Sequence, residues 1–495
     1  MPTVDTRDGR LAGAERAHGF AFLGIPYAAA ARWAPPAAPT AWPGVRDATR
    51  RGPVSPQAER GAGTYTHGPT PEADERRCLN LNVYTPSLSG ARPVLVWIHG
   101  GGFAVGFGSA SVYDGAYLAA VSDLVVVTLN YRLGTLGWLG HPALATDTEA
   151  PVANWGLQDQ IAALRWVRAN IAEFGGDPER VILAGQSAGA LSAMDLLVAP
   201  AAHGLFRRVA LHSPVLVDAG HPMELGVRWG EAISASLGLG NFIPDALRAL
   251  DPAEIIQAQE SLVDAPEFRR TRGGALPLID PVVLPRSPLE DPGASPEVDV
   301  LVGSTAHEGT FFFDSPWRGA PTNEQIPTIV GMLTGGTQGA LETERERARA
   351  EGRGTDDLSL LVDIATESLV VGPMSRWAQA RARLVGDRSA VFRFRVDHEG
   401  GGPQLRATHS VDAPLLFGTC HDGDVGERLG GGAEGGDAVS AEMQRVWGAF
   451  AHGSRPGWAA IGARADAQDV GIFGGARPFH VERLGNDRSL SAHSC

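Results

Sequence analysis

Ser187 stands between two glycines in the run Gly185, Gln186, Ser187, Ala188, Gly189. The apolar stretch 181–184 precedes it, and from Ala190 onward apolar residues recur at Leu191, Met194, Leu197 and Val198. A short apolar run flanked by turn residues predicts a buried strand, and the later spacing predicts a helix. The serine therefore falls on the turn between strand and helix. Glycines on either side permit a strained backbone and a close helix–strand approach, and the helix N-terminus lies behind the hydroxyl. This is how a serine is presented as a nucleophile for acyl transfer. A serine alcohol needs three kinds of help: a base to take its proton, an acid to orient the base, and N–H groups for the oxyanion.

Each kind has candidates. In "WIHGGGFAVG" (97–106) three consecutive glycines follow a predicted strand, which exposes backbone N–H groups. Gly101 and Gly102 would supply two oxyanion donors, and Ala188, next to the nucleophile, the third. HGGGF ahead of GxSxG is a far more specific signal than a lone glycine turn. In this architecture the triad runs in the order serine, acid, histidine, which puts the base downstream. Of fourteen histidines, His409 lies in a polar loop beyond the predicted strand 390–397, with His452 and His480 as competitors. Glu308 follows the apolar run "VDVLVG" at its carboxyl end, where ligand sites of open α/β sheets lie. Asp280 and Asp314 are possible but do not directly follow a strand, and the neighbouring His307 reads as packed or solvent-facing.

These residues need a rigid support. "PVLVWIHG" (93–100) and "LVVVTLNY" (124–131) are continuous apolar runs of the kind buried in a parallel sheet. Residues 157–174 form an amphipathic helix with Ile161, Leu164, Val167, Ile171 and Phe174 on one stripe, stopped by "GGDP". Strands follow at "RVILAG" and "FRRVALHS". This alternation predicts an α/β fold with a mostly parallel, twisted sheet covered by helices on both faces. Segments 220–295 and 315–385 read mainly as helices with loops, and 423–440 as a glycine-rich surface loop. With no repeat and no evident linker, residues 1–495 read as one catalytic domain.

Composition limits the function classes. The 495 residues are 43% hydrophobic and 20% charged, which suits a globular chain with ample core. Net charge is −14, without a basic run, which disfavours nucleic acid and anionic membrane as partners. Every basic side chain other than histidine is arginine, and 63 glycines accompany many alanines, a composition expected of a GC-rich bacterial genome. The N-terminus carries charges throughout and no apolar h-region, and no charge-free run of about 18 apolar residues occurs. Three cysteines, Cys78, Cys420 and Cys495, exclude a disulfide scaffold or cysteine-rich metal site and point to the cytoplasm. No metal or cofactor is needed by the chemistry above.

The chain resembles the type B carboxylesterases, the cholinesterase-like branch of the α/β-hydrolases, over nearly its whole length. The likeness runs through "FLGIPYA", "CLNLNVYTP", "HGGGF", "NYRLGTLGWL", "NWGLQDQIAALRWVRANIAEFGGDP", "GQSAG", "HEGTFF", "HSVDAPLLFG" and "MQRVWGAFAHG". The resemblance implies an α/β-hydrolase fold with helical insertions over the site. It also implies Ser187 as nucleophile, Glu308 as acid, His409 as base, and oxyanion donors at Gly101, Gly102 and Ala188. Four departures stand out. Gln186 replaces the family's usual glutamate. Ser55 stands opposite Cys78 where eukaryotic members bridge two cysteines. Arg76 and Arg77 replace the acidic pair before that cysteine, which puts a family salt bridge in question. No tryptophan lies between Trp42 and Trp97, so choline stacking by that route is not expected.

The reading is a serine hydrolase that cleaves small-molecule carboxylic esters through an acyl-enzyme. The same residues would serve an amide, carbamate or thioester. A non-catalytic binding module is the other class, and loss of Ser187 would have favoured it.

Overall fold

The computed structural model describes residues 1–485 apart from 60, 148–149, 266, 269–273, 317–318, 401, 432 and 463–466. Three short strands, β1 (Thr3–Thr6), β2 (Gly9–Ala12) and β5 (Val45–Asp47), form a small separate sheet. Eleven others build the main sheet: β3 (Ala14–Arg16), β4 (Gly19–Pro26), β6 (Asn80–Thr85), β7 (Arg92–Ile98), β8 (Val125–Leu129), β9 (Gly176–Gln186), β10 (Arg208–His212), β11 (Asp299–Thr305), β12 (Val391–Val396), β13 (Ala467–Gly474) and β14 (Arg477–Gly485). Their order across the sheet is β14-β13-β12-β11-β10-β9-β7-β8-β6-β4-β3. From β8 to β13 every pairing is parallel, and the outer pairings are antiparallel. Consecutive strands from β9 to β13 lie side by side and parallel, which requires the helical crossovers read from the sequence.

The continuous apolar runs follow from burial on both faces. Alternate residues of one strand enter two different cores. Val94, Val96, Val181, Leu183, Val209, Leu211, Val300 and Val302 pack with the helices Trp155–Asn170, Ala188–Val198 and Gly372–Val385. Leu95, Trp97, Ile182, Ala184, Ala210, Leu301, Phe392 and Phe394 face the helices Ala116–Val121, Asp412–Phe417 and Ala433–Ala451 instead. β9 lies at the centre, paired with β7 through Ile98↔Gly185 and with β10 through His212↔Gln186. The carboxyl ends of β7, β9, β10, β11 and β12 therefore open onto one edge.

One expectation needs correction. Segment 423–440 is largely helical, in Gly423–Gly430 and the start of Ala433–Ala451. Val439, Met443, Val446, Trp447 and Phe450 are buried at helical spacing, and that packing overrides the low helix propensity of the glycines. The helical run Asp357–Arg388 is long and apolar enough to cross a membrane by length and composition alone, and half of its most apolar stretch is buried within the protein. This run contains a π-helical turn, Glu367–Val371. Its first part, Asp357–Thr366, packs on the helix Glu308–Phe313, and its last part, Gly372–Val385, packs on β11 and β12.

Candidate active site

Ser187 caps the N-terminus of the helix Ala188–Val198 with φ 57° and ψ −122°. The strain expected at this turn sits on the serine itself. Such a conformation costs on the order of 1–3 kcal/mol for a residue with a Cβ, so surrounding bonds must hold it. The Ser187 N–H donates to the His212 carbonyl at 2.8 Å, and the Leu191 N–H donates to the Ser187 carbonyl at 3.0 Å. Gly185 and Gly189 serve close approach: a Cβ on Gly189 would lie 2.0 Å from the Ile98 oxygen, and one on Gly185 2.5 Å from the Gly189 carbonyl.

The loop 99–106 after β7 abuts this turn. A Cβ on Gly100 would stand 3.1 Å from the Ser187 Cβ. Gly101 has φ +115°, and a Cβ there would strike the Val105 oxygen at 1.9 Å, so only glycine fits. Gly102 has φ +60° and open space beside it, and both glycines are partly exposed. Ala188 is the first residue of its helix, so its N–H is one of those a helix leaves without an intrahelical acceptor. The chemistry available here is donation to an oxyanion.

Glu308 opens the helix Glu308–Phe313 just past β11 and is fully buried. Its Oε1 accepts the Ser213 hydroxyl at 2.6 Å and the Thr305 N–H at 2.7 Å. Its Oε2 accepts from Nδ1 of His409 at 2.5 Å. His409 is 2% exposed and packs against the rings of Phe311 and Phe312. Its loop is tied to the acid's loop, with the His307 N–H donating to the Ala407 carbonyl at 2.9 Å. The other ring nitrogen, Nε2, accepts from the Gln186 side-chain amide at 3.0 Å, beside the nucleophile turn. With a carboxylate at Nδ1 and a donor at Nε2, the ring carries its proton on Nδ1 and keeps an acceptor toward the elbow.

The competitors lie elsewhere. Asp280 accepts from Asn154 and from the N–H groups of Val282 and Val283. Asp314 accepts from Gln404, His452 contacts the Ser122 carbonyl, and His480 sits in β14 beside Glu482. Burial lowers the His307 pKa to about 4. Below the glycine loop, His99 stacks on Tyr131, and burial lowers its pKa to about 3; burial likewise lowers the pKa of His67 to about 4.

The Carboxylesterase family model matches residues 1–461. The chain belongs to the carboxylesterase family. It is 33% identical to para-nitrobenzyl esterase of Bacillus subtilis (strain 168) over 472 residues, 92% of this chain and 91% of that one. It is 34% identical to fumonisin B1 esterase of Sphingopyxis macrogoltabida over 87% of this chain and 78% of that one. Among solved structures it resembles a thermophilic PNB esterase with a TM-score of 0.81 at 30% identity, covering 97% of both chains. This carboxylesterase is thus an α/β-hydrolase that cleaves carboxylic esters.

The departures noted in the sequence acquire partners. Cys78 is a buried free thiol whose Sγ donates to the Glu75 carbonyl, and Ser55 accepts the Leu133 N–H through Oγ. Cys420 is also free and buried, and Cys495 lies outside the described residues. Where Arg76 and Arg77 put an ion pair in question, Glu75 forms a two-pronged one with Arg32 at 2.6 and 2.8 Å. Sequence reasoning missed Ser213, which holds Glu308, and Asp412, three residues beyond His409. The available signals were a serine directly after β10 and an aspartate within "HSVDAP".

Proposed function

We propose that Ser187 is the nucleophile, His409 the general base and Glu308 the acid of this carboxylic-ester hydrolase, with Gly101, Gly102 and Ala188 donating to the oxyanion. The observation that carries this reading is the bond between Glu308 Oε2 and His409 Nδ1, with Nε2 turned to the residue adjoining Ser187. His409 takes the Ser187 proton, and Ser187 Oγ attacks the ester carbonyl. The tetrahedral oxyanion gathers on the three N–H groups. The alcohol leaves with the proton returned by His409, and an acyl-serine remains. Water, deprotonated by the same imidazole, then releases the acid and restores Ser187. Glu308 holds the ring in the Nδ1–H tautomer and stabilises the imidazolium when it forms.

The substrate is a small-molecule ester, the whole chain works as one catalytic domain, and the buried free thiols suit the cytoplasm of a bacterium. An organophosphate should label Ser187 stoichiometrically, and Ser187→Ala should retain less than about a hundredth of kcat, since loss of a triad member removes far more than that. An adduct on another residue would refute the assignment. p-Nitrophenyl esters of rising chain length, beside carbamate, anilide and thioester analogues, should show the esters turned over fastest; a faster carbamate, anilide or thioester would move the reading to that class.

A further inference from the structure

We infer that His212 is a positioning residue for this reaction, one that sets His409 over Ser187 through Asp412. The inference rests on the triad proposed above. His212 ends β10 and is fully buried, and Asp412 opens the helix Asp412–Phe417 with 1% exposure. Nδ1 of His212 donates to Asp412 Oδ2 at 2.6 Å. On the other side of the ring, the Trp447 indole N–H donates to Nε2 at 3.0 Å. An indole nitrogen only donates, so Nε2 carries no proton and the Nδ1–H tautomer is set. The molecule therefore holds a second carboxyl–imidazole pair with the connectivity of Glu308 and His409. Its Nε2 faces the buried Trp447 indole rather than a nucleophile, so it does not serve as a base.

What it can do is hold position. The His212 carbonyl accepts the N–H of Ser187. Its side chain holds Asp412, three residues past His409. The next residue, Ser213, with φ 51°, donates to Glu308 Oε1. One dipeptide at the end of β10 thus touches the segment of each triad member. The ring is enclosed by Trp97, Phe394 and Trp447, with centroids 5.1–5.4 Å away, so water does not compete for its bonds. Buried hydrogen bonds of this kind specify one arrangement strongly, and loss of one partner leaves the other polar group unsatisfied. Proton transfer between Ser187 and His409 depends on distances held to a fraction of an ångström. A base loop released from β10 would lose rate and not substrate affinity.

The test compares His212→Leu, which keeps the volume and removes both bonds, with His212→Gln, whose amide can donate to Asp412 and accept from Trp447. Organophosphate titration counts competent Ser187, and kcat and KM are expressed per titrated site, with melting temperature recorded alongside. His212→Leu should lose about ten- to a hundredfold in kcat per site with KM changed less than about threefold, and His212→Gln should recover most of it. Asp412→Ala approaches the pair from its other end, and the double variant should lose little more than either single one. If His212→Leu does not fold, Asp412→Ala carries the same expectation. A purely structural role would lower the melting temperature and the titratable fraction and leave kcat per site unchanged. That result overturns the inference, as do a Gln variant impaired like the Leu variant and multiplicative losses in the double. Wild-type enzyme that takes the label elsewhere than Ser187 would overturn the triad instead.

Discussion

The side-chain amide of Gln186 lies 3.0 Å from Nε2 of His409, the nitrogen that accepts the serine proton in the proposed mechanism. A carboxylate in that place would favour the imidazolium, because an opposite charge stabilises the charged form. The base works only when neutral, so kcat/KM rises with pH through its titration. Gln186→Glu should therefore move the acid limb of log kcat/KM upward by about half a pH unit or more. An unmoved limb with intact kcat would show that the amide serves packing alone.

Glu308→Gln should cost far more than the loss of one charge suggests. Oε1 is held as an acceptor by Ser213 and Thr305, so the amide oxygen stays there and the NH₂ turns toward Nδ1 of His409. Facing a donor, the imidazole must carry its proton on Nε2, the wrong tautomer for taking one from Ser187. A drop in kcat on the order of 10³–10⁴ is expected, as for a triad acid replaced by its amide. His409→Gln should fall comparably. A Glu308→Gln enzyme within tenfold of wild type would shift the acid role to another carboxylate.

Acid should destabilise the fold through His67 and His99. Burial holds them neutral in the folded chain, with pKa values of about 4 and about 3. The unfolded chain takes up protons near the ordinary value of 6.5, so their contribution is complete above that pH and is lost as pH falls from 6.5 toward 4. Each removes roughly 1 kcal/mol per pH unit in that window. Urea unfolding at pH 7, 6, 5 and 4.5 should show this slope, and His67→Gln should flatten it by about the share of one histidine. Parallel slopes for the two proteins would rule His67 out as a source.

Most of the candidate site was legible because the residues proposed for it carry local signals. Ser187 sits between two glycines at a change of periodicity, Gly101 and Gly102 follow a buried strand, and Glu308 lies just past another. His409 was reachable by chain order and by its place after a strand. His212 was not, because its role comes from register: a histidine ending an apolar strand looks like any other until β10 is laid beside β9. The helix Gly423–Gly430 was hidden for another reason, since its glycines oppose a helix and Val425 and Leu429 make one only once buried. The small sheet of β1, β2 and β5 is joined by backbone pairing between segments too short for periodicity to mark.

The π-helical turn Glu367–Val371 acts as a phase adjuster. An α-helix advances about 100° per residue, so a single extra residue in one turn rotates everything beyond it by that angle. Here the segments on either side of the turn pack on different elements, the first on the helix that begins with Glu308 and the second on β11 and β12. The number of residues in that turn sets the angle, and Val370, fully buried in a cluster with Val215 and Phe312, seats it. Taking out one residue would bring the two halves into a common phase, and whichever half kept its seat would turn the buried stripe of the other toward water.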